Sequence, residues 1–400
     1  YQPGMRPGIN RRLAELAREI AFNAPEVIEA LGYQPTSSDW APMIADLPDT
    51  ACDGTHLCVA LGFDTGEYDL WAFVDLTTEE FVGVTWSGNS PESAMSSESY
   101  GSEGCPAPGT VNRDGWSLSH EVTPSDGLHI YDVSYNGTTV LKRSKIAEWH
   151  VHYISWDGGF TDVPGCDGEG GFPIYPYGDT VVLDLEDDGG NVIGFEVVQD
   201  FRMGNWGYGC NYRYEQHYQF FDDGRFRVVG GAYGQGCDTD GIYRPLVLID
   251  VAVEGDAADN FADWNGSDFV AQTEELRLEP PNDLSSEGYA WTVTDSSGAG
   301  YYIEPGRGQF GDGGQGDNEF IYAVQHQSVF DLDMGAMGTC CDYDYHGPEA
   351  FVDGQSIEDE NIALWYVPQM ETDAFAPNYY CWTVTNPPDH DPYPCFGGPM

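Results

Sequence analysis

The sequence predicts a mainly β protein: a small N-terminal α+β domain followed by a large antiparallel β-sandwich. Three observations lead there. Helical periodicity is confined to the first 32 residues. From about Asn112 onward, short apolar and aromatic runs are separated by Gly, Asn and Asp turns. The 400-residue chain also carries 50 glycines, many of them in Asp-Gly pairs, which fits many tight turns. No repeat of roughly 20–50 residues is visible, which argues against a propeller or solenoid.

Taken in order, residues 10–22 place Leu13, Leu16, Ala17 and Ile20 on one helical face, with Asn10 as a cap. Pro25 opens a second short helix that Gly32 ends. Strand-like runs follow at His56–Phe63, Tyr68–Leu76 and Phe81–Trp86. Residues 1–87 therefore read as one domain. Residues 88–111 shift to Ser, Glu, Gly and Pro and read as a linker. Residues 112–400 read as the sandwich, with runs at Leu128–Tyr135, Thr180–Leu185, Phe220–Val229, Pro245–Val253 and Ala363–Tyr366. Asn136-Gly137 and Asp222-Asp223-Gly224 mark hairpins.

The formal charge is −52, from 67 Asp+Glu against 15 Lys+Arg, and the only lysines are Lys142 and Lys145. Such a surface repels nucleic acid and anionic membranes and admits basic partners or Ca²⁺. Solubility in saline surroundings is the plain reading of the acidity. No run approaches the roughly 18 apolar residues of a membrane span. The chain begins at Tyr1 without a Met, which reads as a processed product. Ten cysteines, none in a CxxC pattern, point to disulfides and to a secreted, extracellular or cell-surface protein.

Several segments, in the right order, resemble the catalytic domain of copper amine oxidases. Asp126-Gly-Leu-His-Ile-Tyr-Asp-Val-Ser-Tyr135 and Val140-Leu-Lys-Arg-Ser-Lys-Ile-Ala-Glu148 resemble its opening strands. Cys210-Asn-Tyr-Arg-Tyr-Glu215 with Phe220-Phe-Asp-Asp-Gly224 resembles its cofactor strand. Leu248-Ile-Asp-Val-Ala-Val-Glu-Gly255 and Glu360-Asn-Ile-Ala-Leu-Trp-Tyr366 resemble the strands near its metal. The resemblance covers residues 112–385, and residues 10–86 resemble the small α+β domain that precedes the sandwich.

This resemblance implies a chemistry whose parts can be checked. In the family a tyrosine becomes a topaquinone that forms a Schiff base with a primary amine, an aspartate removes a proton, and copper on three histidines drives the tyrosine's oxidation. Asn211-Tyr212-Arg213-Tyr214 makes Tyr212 the quinone-precursor position, with Arg213 in place of an acid. The base position falls at Asp167. The His-x-His positions fall at Gly241 and Tyr243, and the sequence after Tyr366 lacks the third histidine. Copper and topaquinone are therefore not expected. His150-Val-His152 has the spacing for a displaced transition-metal pair. Asp250 and Asn361 fall where the family holds Ca²⁺.

The expectation is thus a non-catalytic, secreted amine-oxidase-fold protein without a cofactor, calcium aside. It would bind protein partners or self-assemble, as a homodimer if it follows the family. The enzymatic alternative is a divergent copper/quinone oxidase of primary amines with relocated ligands. A carbohydrate-binding sandwich, resting on 11 Trp and 25 Tyr, is a third reading.

Overall fold

The N-terminal segment folds as its periodicity dictates. In the computed structural model a helix spans Arg11–Asn23, and Pro25–Leu31 forms a second that Gly32 closes at φ 75°. A left-handed residue here suits glycine, which has no Cβ to clash. The structure describes residues 11–38, 42–47, 50–52, 56–65, 68–88, 105–153, 158–166, 174–187, 189–203, 211–233, 241–253, 259–306, 317–335, 337, 346–372 and 395–400.

Strands Cys58–Asp64, Tyr68–Asp75 and Glu80–Gly88 form a meander. Alternation gives it two covered faces. Leu70, Ala72 and Val74 pack under the helices, whereas Trp71 and Phe73 point into the core of the large sandwich. A short strand absent from the sequence reading, Met43–Asp46, joins the two units. It pairs with Cys58–Asp64 on one side and with Gly158–Asp162 on the other. The largest sheet therefore runs without a break from the meander through Gly158–Asp162, Thr138–Tyr153, Gly241–Val251 and Ile362–Val367 to Phe320–Gln325 and Leu276–Leu278. Its pairings are antiparallel throughout, as the mainly β expectation requires.

Against it packs a second sheet whose centre is Val192–Met203, Arg213–Phe221 and Phe226–Tyr233. Its central strand alternates without interruption, and Tyr214, Gln216, Tyr218 and Phe220 are its buried positions. A third sheet holds Phe269–Ala271, Asp259–Trp264, Trp291–Asp295 and Gly300–Ile303. Both sequence-predicted hairpins form. Asn136 and Gly137 take φ of 50° and 85° between Leu128–Tyr135 and Thr138–Tyr153, the mirror-image turn that suits strand twist. Disulfides join Cys52 to Cys58 and Cys105 to Cys166, the second tying the segment before the sandwich to its interior.

The long central strand Thr138–Tyr153 positions everything that follows. A bulge sets Ala147 and Glu148 opposite the single residue Leu246. Ile146, Trp149, Val151 and Tyr153 belong to the sandwich core, and Ala147 belongs to a separate core beneath Phe330 and Trp365.

Trp71 packs against Phe160 across the seam, the rings tilted by 57° with centroids 5.2 Å apart. Truncation to Trp71→Ala is expected to cost about 3–5 kcal/mol. Calorimetry is expected to show one transition moved downward as a whole. A separate early transition confined to part of the enthalpy would show that the two units melt independently.

Candidate functional site: a buried tyrosine cluster

Tyr212 immediately precedes Arg213–Phe221 and is fully buried. Its ring lies parallel to that of Tyr214, with centroids 5.9 Å apart, and Tyr214 stacks on Trp149 at 4.2 Å. Tyr243, from the neighbouring strand Gly241–Val251, meets the Tyr212 ring edge-on at 6.5 Å. The Tyr212 and Tyr153 hydroxyls share a hydrogen bond at 2.6 Å. Four tyrosines, one on each of three strands and Tyr212 just ahead of one of them, thus converge on the sandwich side of Thr138–Tyr153.

One carboxyl enters this cluster, and it comes from Asp162. The Tyr214 hydroxyl donates to its Oδ2, while its Oδ1 is buried without a partner. Burial pushes the Asp162 pKa up to about 7, the Glu148 charge adds to this, and the Tyr214 hydrogen bond opposes it. Burial likewise raises Tyr153 and Tyr214 well above the ordinary phenol value. At neutral pH these phenols keep their protons, and Asp162 is the group poised to exchange one. The sequence reading missed it, because Thr161-Asp162-Val163-Pro164 reads as a strand end; only the fold brings it to Tyr214. Asp167, the sequence-predicted base, lies outside the described residues.

The histidines stand elsewhere. His150 and His152 share a face, as their spacing predicts, but it is the face turned away from Tyr212. There His150 Nε2 meets Glu148 Oε1 at 2.6 Å, and Glu148 Oε2 accepts the Met337 amide at 2.8 Å. His217 occupies an outward position of its strand, between Glu196 and Glu215, each at 3.0 Å. Burial lowers its pKa, but these two partners outweigh that and bring it to about 9. It is a paired structural histidine.

The second core buries further charge. Lys145 Nζ donates to Asp126 Oδ2 at 2.5 Å and to the Leu332 carbonyl at 2.6 Å. The Met334 and Gly335 amides close on the same Asp126 carboxyl at 2.8 Å each. This knot fastens residues 332–335 over the central strand.

Asp250 and Asn361 gain neighbours that the sequence did not connect. His326 Nε2 lies 3.4 Å from Asp250 Oδ2 and 3.6 Å from Asp331 Oδ1, and Asn361 accepts the His326 amide at 2.8 Å. The Asn361 side-chain oxygen is buried without a hydrogen bond. The carboxylates and this amide oxygen are hard donors of the kind Ca²⁺ takes, whereas the His326 imidazole is not.

No family model matches the chain, and no curated protein does. Solved structures do. A copper-containing benzylamine oxidase from Hansenula polymorpha aligns with a TM-score of 0.51 at 12% identity, covering 100% of this chain and 83% of that one. The lysyl oxidase of Pichia pastoris aligns with a TM-score of 0.53 at 13% identity, covering 98% and 74%. The fold is that of the copper amine oxidases. At such identities the likeness is one of fold, and any chemistry has to be argued from the residues.

Within the amine oxidase fold, the positions that the resemblance assigns to copper hold an unsuitable set. Gly241 and Tyr243 sit on one strand, paired with Thr372 and Met370 of the strand Met370–Thr372. A glycine and a phenol do not replace the two imidazoles of that pair for Cu²⁺. Among the strands that bear the cluster, the described histidines His150, His152 and His217 all point away from Tyr212.

Asp162→Asn removes the poised carboxyl. An unfolded aspartate ionises near its ordinary value, while folded Asp162 keeps its proton to about 7. Its burial therefore costs stability progressively between about pH 4 and pH 7, reaching on the order of 4 kcal/mol. The melting temperature of Asp162→Asn is expected to gain on that of the parent chain across this range and to hold a constant lead above it. A difference that does not vary with pH would show that Asp162 does not titrate there.

Proposed function

We propose that this chain is a secreted, non-catalytic protein on the amine oxidase fold, acting in binding or as a structural component of an extracellular or cell-surface assembly. The observation that carries this reading is Tyr243. The sequence resemblance puts it where the family has a copper histidine, and its ring lies against Tyr212, whose hydroxyl is engaged by Tyr153. A packed phenol there leaves the tyrosine without the metal ligands that quinone formation requires.

Two disulfides among the described residues and a charge of −52 support an oxidising, extracellular setting. No helix among the described residues is long and apolar enough to cross a membrane. Support for assembly comes from Val181–Glu186, which among the described residues pairs only with Val192–Met203 and so presents an edge of the sheet. Its Val181, Val182 and Leu183 are 42%, 42% and 46% exposed. Unpaired apolar edges invite another strand, and a second copy of the chain meeting this one edge to edge would form the homodimer. Calcium at Asp250 and Asn361, with Asp331, would be structural.

Asp162 favours the second reading. A buried carboxyl held near neutrality in a cluster of phenols is the profile of a general base. A divergent oxidase of primary amines would use it, with ligands relocated to residues such as His150 and His152.

Mass spectrometry of the Tyr212 peptide from natively purified protein, with metal analysis of the same sample, separates the two. Unmodified Tyr212 without transition metal is expected. Oxidised Tyr212 with stoichiometric copper would overturn the non-catalytic reading. Sedimentation velocity tests the edge: the parent chain is expected as a dimer and Leu183→Lys as a monomer. A parent that sediments as a monomer at all concentrations would remove this interface.

A further inference from the structure

A second site lies at the far end of the sandwich. Arg213–Phe221 starts beside Tyr212 and runs nine residues, about 30 Å at the usual strand rise, to the hairpin that leads into Phe226. Beyond that hairpin is a cavity of about 460 Å³. This is within the range of small-molecule sites. Its floor is apolar: Phe226 and Val228 from one sheet, Ile249, Val251 and Leu364 from the other, and Ile303 from the third.

The mouth differs in kind from the floor. Tyr289 and Tyr302 line it with ring centroids 5.0 Å apart and a 30° tilt. Tyr302 is 54% exposed, so its ring is not part of the core. Phe269 follows at 5.6 Å from Tyr302, and Trp264 at 5.1 Å from Phe269, so a line of aromatic rings leads along the third sheet to the opening. Two carboxylates, Glu287 and Glu304, stand among these rings. Hydrogen bonds from Ser286 first, and then from its own backbone amide and Ser285, hold Glu287 below the ordinary carboxylate range and therefore ionised. Arg225, the basic side chain of the lining, is paired with Asp223 at 2.8 Å.

We propose that this cavity binds a small organic cation, an ammonium head joined to an apolar body. The body enters the apolar floor, and the head stays at the mouth over the faces of Tyr289 and Tyr302, beside Glu287 and Glu304. Aromatic faces attract cations through their quadrupole, and carboxylates add charge without requiring the head to leave water completely. The field of a −52 chain concentrates cations and repels anions of the same shape. Adjacent rings are tilted by 59° and 62° along Trp264, Phe269 and Tyr302, so they do not form the flat platform that a sugar strand stacks on. This site is independent of Tyr212 and does not depend on whether the tyrosine cluster is catalytic.

Titration calorimetry of the full chain at moderate salt, with benzyltrimethylammonium as the probe, tests this. Saturable one-to-one binding is expected. Benzyl alcohol, the neutral comparison, should bind at least about tenfold more weakly, and benzoate should not bind. Tyr302→Ala and Glu287→Gln change exposed side chains, so their melting temperatures should match the parent. Each should weaken the probe by about tenfold. Four results would overturn the proposal: no saturable binding, equal binding of benzyl alcohol, binding unchanged in both variants, or preference for cellohexaose over the cation.

Discussion

Burying the last ten residues of Thr138–Tyr153 is the constraint on which the rest of this structure depends. A strand covered on both faces normally carries apolar residues throughout. This one carries Lys145, Glu148, His150 and His152 into the interior. A buried charge is tolerated only when it is paired, so the chain must supply partners at fixed places. Asp126, Met334, Gly335 and Met337 do so on one face. The bulge at Ala147 and Glu148 keeps these charges on that face and leaves the other to Trp149, Val151 and Tyr153. The division of the molecule into an aromatic side and a charged side is thus set within one strand.

On the aromatic side the interior is packed by rings. Tyr212, Tyr214, Tyr243 and Trp149 fill space by stacking and edge contacts, which contribute beyond the area they bury. Asp162 lies among them, buried against Tyr214 with one oxygen unpartnered. Fold and chemistry are separable: the fold is shared with amine oxidases, while what the groups at its centre do has to be argued residue by residue.

Much of this was legible in the sequence where local pattern decides the outcome. The two helices, the hairpin at Asn136-Gly137 and the strand Leu128–Tyr135 follow from periodicity and turn chemistry. The shared face of His150 and His152 follows from strand alternation. Residues whose role depends on a distant partner were not legible. Asp162 gains its meaning only from Tyr214, 52 positions away. His326 has no patterned partner in the sequence, and only the fold sets it between Asp250 and Asp331. Met43–Asp46 is too short to show a period, and it forms because two other strands need a neighbour.

That short strand has a consequence for how the protein is made. Its partners flank it in space but not in the chain: Ala45 pairs with Phe160, more than a hundred positions later. As the chain leaves the ribosome from its N-terminus, the helices and meander can collapse early around their own small core. Their outer strand must then wait, unpaired, until Gly158–Asp162 arrives to complete the ladder. Throughout that interval Trp71 and Phe73 lack the face they are built to cover. The small unit therefore emerges before the strand that completes its ladder, and its interval of exposure to wrong pairing falls during synthesis.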